Sequence, residues 1–178
     1  MYIILCMNIL RLIIFQALWY IFIKLGYLEI SYTFPFIAIL FTAIDKKLFN
    51  KDESWYKYLS FTLFLLVSGL VVDSTLLNTN FIQFENYKEI YSPFYMWSIW
   101  IIFHPYYQIA FNKFKNKNLI ASSCGFLFAP FSYYSGSKLG NLEIQEPSNL
   151  IAVAVLWAIF FPISINLYFK LNSKKELL

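Results

Sequence analysis

Residues 57–77 read KYLSFTLFLLVSGLVVDSTLL. After Lys57 the run holds one charged side chain, Asp73, among residues that are otherwise apolar, small or hydroxylated. A helix of about 20 such residues, rising about 1.5 Å per residue, spans the hydrocarbon core of a bilayer. The run therefore reads as a membrane-crossing helix. An ionisable side chain inside a span is costly to keep, so Asp73 reads either as a functional residue or as a group that caps or staples neighbouring helices near the outer interface.

The same pattern recurs at roughly 3–23, 32–49, 94–112, 119–138 and 149–170. Six runs predict an all-α, polytopic membrane bundle that fills residues 1–178 as one domain. The composition agrees. Of the residues, 60% are hydrophobic and 13% charged, against about 25% charged in a soluble domain. The first run lacks a basic segment before it and a small-residue cleavage site after it, so it reads as a retained helix rather than a signal peptide.

The lysines fix an expected direction. Six crossings put the N-terminus, the second and fourth loops and the C-terminal tail on one side. That side holds Lys46, Lys47, Lys51, Lys57, Lys113, Lys115, Lys117, Lys170, Lys174 and Lys175; the other holds Lys24, Lys88 and Lys138. The bias predicts cytoplasmic N- and C-termini in a bacterial inner (cytoplasmic) membrane. A net charge of +4, clustered between apolar runs, is a topology signal, so no nucleic-acid partner is expected. The loop before the fourth span spaces Phe81, Phe84, Tyr87 and Tyr91 almost helically, as a segment lying on the outer leaflet does.

Counting helical rise locates what shares the depth of Asp73, about 24 Å from the inner end of its span. Gln16, Tyr133, Tyr134 and Ser135 fall near that level. They offer the donors that a buried carboxyl group needs. A second level, nearer the cytoplasm, collects Arg11, His104, Gln108 and Ser122. The candidate binding residues are thus Asp73, Gln16, Tyr133, Tyr134, His104 and Arg11, with Gln16 and the tyrosines rather than Arg11 as neighbours of Asp73. Gly69 lies one turn before Asp73. In the fifth span Gly125, Ala129, Gly136 and Gly140 form a stripe of small residues, the feature that lets membrane helices approach closely. Pro130 removes a hydrogen bond from that helix.

Cys6 and Cys124 read as small apolar residues. His104 has no cysteine or histidine partner at ligand spacing, so neither a metal nor a cofactor is expected.

Several stretches resemble a family of small bacterial membrane proteins known as domain of unknown function 2878. They are NILRLIIFQALWYIF (8–22), GLVVDSTLL (69–77), PFYMWSIWIIFHPYYQIAF (93–111), GFLFAPFSYYSGSKLG (125–140) and LWAIFFP (156–162). The matching positions include Asn8, Gln16, Trp19, Gly69, Asp73, Trp100, Gly125, Pro130, Tyr133, Trp157 and Pro162. The resemblance implies a multi-pass fold and no particular chemistry.

Three functions fit. The first is binding or transport of a small solute, proton or lipid at a polar site around Asp73. The second is an accessory membrane subunit of a lipid-modifying system, with Asp73 as acid or base and His104 as a second group. The third is a structural scaffold. Stand-alone catalysis is disfavoured, because no nucleophile motif or glycine-rich phosphate loop is present.

Overall fold

The computed structural model describes residues 2–85 and 87–172; the side chains of residues 2–5, Gln108 and Asn112 lie outside the described residues, as do Lys174 and Lys175. Six helices run in sequence, joined by short connections: α1 (Tyr2–Lys24), α2 (Phe34–Phe49), α3 (Trp55–Asn78), α4 (Phe94–Ala110), α5 (Asn118–Leu139) and α6 (Asn149–Asn172). They fall where the six apolar runs place them, with ends shifted by a few residues.

Three of them are long and apolar enough to cross a membrane: Cys6–Lys24, Trp55–Asn78 and Asn149–Asn172. Of the others, α2 has 16 residues and α4 has 17. A 3-10 turn, Glu29–Thr33, leads into α2, and another, Asn112–Phe114, follows α4. Part of each run is therefore spent on a tighter turn.

Capping follows the local sequence. Ser54 accepts a hydrogen bond from the Lys57 backbone N–H at the start of α3, satisfying a donor that has no helical partner. Gly140 ends α5 at φ +99°, a left-handed geometry that glycine adopts without strain.

The chain is not wholly helical. β1 (Ile82–Phe84) and β2 (Leu142–Ile144) pair antiparallel, with Gln83 opposite Glu143. The loop expected to lie as an amphipathic segment thus contributes a strand, and Ile82 and Phe84 face inward. Its alternating period of two, short as it is, wins over the near-helical spacing of its aromatics.

Contacts between helix ends show that each helix reverses its predecessor. Asn166 of α6 donates to Asn118 of α5 at 2.9 Å. The Lys46 ammonium at the end of α2 sits 5.3 Å from the Trp55 ring at the start of α3, and Lys115, after α4, lies 5.7 Å from Phe169. These contacts gather the lysine-rich joints at one end. At the opposite end Lys24 Nζ reaches the Leu139 carbonyl at 3.3 Å. There too Asn78 donates to the Ile90 carbonyl at 2.8 Å, and Asn149 donates to the Phe81 carbonyl at 3.1 Å. Around the bundle the outward faces are apolar: Ile13, Leu40, Leu63, Leu127 and Ile159 are all more than half exposed. Isolated exposed apolar residues are ordinary, but bands of them on successive helices suit an apolar surrounding.

The three prolines inside helices, Pro105, Pro130 and Pro162, are accommodated without breaking them. Pro105 illustrates how. It has no N–H, so the Ile101 carbonyl loses its helical donor. Thr42 of α2 stands against that carbonyl, with Oγ1 at 3.5 Å, while its shorter bond returns to the Ala38 carbonyl at 2.7 Å.

Candidate functional site

Asp73 is fully buried on the inner face of α3. Both carboxyl oxygens are occupied. Trp100 of α4 donates its indole N–H to Oδ2 at 2.7 Å, and Tyr133 of α5 donates its hydroxyl to Oδ1. One acid therefore joins three helices through two neutral donors. Tyr133 lies at the level where depth counting along the spans expects a donor; Trp100 is a partner that such counting leaves out.

The geometry requires Gly69. A β-carbon there would enter the Trp100 indole ring, so the absence of a side chain one turn before Asp73 makes room for the ring that bonds it. Gly125 serves a different contact. A β-carbon there would press on the backbone carbonyl of Trp157, so the glycine lets α5 and α6 approach at this point. A β-carbon at Gly136 would stand 3.6 Å from Ile23 of α1 and from Leu142 of β2, an ordinary contact distance, so the position faces both without demanding a glycine. Gly140 does not belong to the packing stripe: a β-carbon there meets nothing within 4 Å, and its role is the helix cap.

A cleft of about 570 Å³ opens in front of this triad. α1 and α5 form its walls, and α4 and α6 its floor. The walls touch near Ile23 and Gly136 and again through Lys24 and Leu139, and separate away from that end. Phe128 and Phe131 stand exposed at the mouth. Trp100, Phe103, Tyr133 and Trp157 line the interior. The Trp100 and Trp157 rings stack with centroids 5.2 Å apart. The buried Trp157 N–H makes no hydrogen bond among the described residues. Asp73 does not line the cleft; Tyr133 and Trp100 stand between them.

Residues 8–163 match the family model described as "Protein of unknown function (DUF2878)". The chain belongs to the DUF2878 family. No curated protein and no solved structure matches it.

In this DUF2878 protein the remaining expected site residues separate. Gln16 lines the cleft from α1, without contact to Asp73. Tyr134 faces away: it is 47% exposed, and Lys138 lies over its ring at 5.0 Å. Adjacent residues on a helix point about 100° apart, so Tyr133 and Tyr134 cannot share one inward site. Ser135 spends its hydroxyl on the Phe131 carbonyl.

Arg11 and His104 form a second polar region nearer the lysine-rich end. Arg11 binds Asp45 of α2 with two hydrogen bonds, Nε to Oδ1 and Nη2 to Oδ2, both 2.7 Å. Asn50 adds a bond to Oδ2 at 3.1 Å, and the guanidinium lies 4.7 Å from the Phe49 ring. Asp45 stands beside Lys46 and Lys47 near the end of α2, yet the fold buries it, 1% exposed, as the counter-ion of Arg11. His104 is fully buried, with Nδ1 2.8 Å from Thr62 Oγ1 and its ring stacked on Tyr58 at 3.9 Å. Its Nε2 has no hydrogen-bond partner among the described residues. The Gln108 side chain lies outside the described residues. Among the described residues no cluster of metal-ligating side chains is present.

Proposed function

We propose that the chain is a six-span membrane protein, with both termini cytoplasmic, that binds an apolar-chained ligand from the bilayer in the cleft between α1 and α5. The observation that carries this reading is the cleft itself. It is aromatic-lined, it opens between two helices whose outward faces are apolar, and its floor is backed by the Asp73–Tyr133–Trp100 triad. A site entered through the side of a bundle draws its ligand from lipid rather than from water. Its volume falls within the roughly 300–1,000 Å³ of ordinary ligand sites.

Orientation rests on the lysine-rich end facing the cytoplasm. The alternation of helix ends supports six crossings, with the shorter α2 and α4 extended by their 3-10 turns. In this reading Asp73 is a positioning residue. It holds Tyr133 and Trp100 in place and does not itself meet the ligand.

The test uses the protein's own fluorophores. Replacing Trp19, Trp55 and Trp97 with Phe leaves Trp100 and Trp157, both at the cleft. Reconstitution into phosphatidylcholine with brominated chains is expected to quench their emission, relative to unbrominated vesicles, because a chain enters the cleft. Emission indifferent to bromine would sink the proposal.

A further inference from the structure

We infer that the cleft selects a ligand whose polar group is uncharged and is held at mid-cleft between Gln16 and Ser132; this rests on the lipid-binding reading above. Among the described residues the cleft lining includes no Asp, Glu, Lys, Arg or His. Its polar groups are neutral, and two of them stand open on facing walls. Gln16 on α1 and Ser132 on α5 are both exposed, and neither side chain makes a hydrogen bond to a described residue.

Their depths agree. Ile23 and Gly136 mark the point where the parallel helices α1 and α5 meet. Gln16 precedes Ile23 by seven residues and Ser132 precedes Gly136 by four, which leaves the two about 4.5 Å apart along the bundle axis. An amide offers two donors and an acceptor, and a hydroxyl offers one donor and two acceptors. Open to hydrocarbon, such groups are costly until a partner arrives. An alcohol, ester or amide oxygen carried partway into the cleft on an apolar chain satisfies both.

A charged head group has no such place. A cation there meets no carboxylate, since Asp73 lies behind Trp100 and Tyr133 with both oxygens occupied. An anion meets no cation in the cleft lining: on the wall helices Arg11 is held by Asp45, Lys138 lies over the outward Tyr134 ring, and Lys24 sits at the closed end with its ammonium on the Leu139 carbonyl. The preferred ligand class is therefore a neutral single-chain or isoprenoid-type amphiphile; a phospholipid chain can enter the cleft, but its charged head group finds no partner there.

The two-tryptophan protein is reconstituted in unbrominated phosphatidylcholine and titrated with three probes of equal chain: 9,10-dibromooctadecan-1-ol, 9,10-dibromooctadecyl sulfate and 9,10-dibromooctadecyl trimethylammonium. The alcohol is expected to quench saturably at a lower mole fraction than either ion. Gln16→Leu and Ser132→Ala should each weaken that saturable component about tenfold, the scale of one hydrogen bond near 1.4 kcal/mol, while Gln16→Asn retains part of it. Equal quenching by all three probes, or stronger quenching by an ion, overturns head-group selection while leaving lipid binding intact. No quenching by any probe overturns both.

Discussion

Trp100 bonds Asp73 across the gap that Gly69 leaves open: the indole N–H meets Oδ2 at 2.7 Å, and the ring occupies the space of the missing side chain one turn earlier on the same helix. The ring has no freedom to retreat without giving up the acid. Gly69→Ala is therefore expected to cost about 1–3 kcal/mol, as overpacking in a filled interior does. The cost should appear as a lower unfolding temperature in detergent. Trp100→Ala combined with Gly69→Ala tests the cause: with the ring gone, it should fare no worse than Trp100→Ala alone.

Asp73 accepts from two buried donors, so the type of replacement matters more than the loss of charge. Asn keeps an acceptor for the Trp100 N–H and can donate to the Tyr133 oxygen. Leu leaves both donors unpaired at about 1–3 kcal/mol each. Asp73→Asn is expected to accumulate in membranes near the native level and Asp73→Leu well below it. Immunoblots of membrane fractions decide this, and equal loss of both variants contradicts the hydrogen-bond account.

The Arg11–Asp45 pair is buried on both sides. Removing one partner strands the other, at about 3–5 kcal/mol, whereas replacing both with apolar residues is often near neutral. Arg11→Met and Asp45→Leu should each lower stability sharply, and the double variant should recover much of the loss. Thermal unfolding of the three variants yields the coupling directly. Simple additivity would show that the pair acts independently.

Topology yields to single cysteines placed in a background with Cys6 and Cys124 changed to Ala. Lys115→Cys is expected to be shielded from an impermeant maleimide in intact cells, and Gln145→Cys to react. Labelling at position 115 from outside reverses the proposed orientation.

Six helices were legible because apolar runs of sufficient length are an unambiguous signal, and Tyr133 was legible because residues on different helices meet when their depths match. What escaped the sequence did so for local reasons. Asp45 stands beside Lys46 and Lys47, so its charge looks solvated; nothing in the run reports that Arg11 crosses to it from another helix. Trp100 has an apolar body and a single donor, and its sequence position does not say which of the two is used. Tyr134 sits at the right depth but on the wrong azimuth. The three-residue strands are too short to announce themselves, and each exists only because the other does.

That last dependence orders the assembly of the chain in time. β1 is synthesised two helices before β2, and its partner emerges only when α5 has been made. Until then Ile82 and Phe84 have no strand to pair with, and Leu142 is not yet there to cover Gly136. The end of the cleft where α1 meets α5 is therefore the last part of the wall to be finished. A chain arrested before residue 142 carries all four cleft-forming segments but α6, with the clasp still undone.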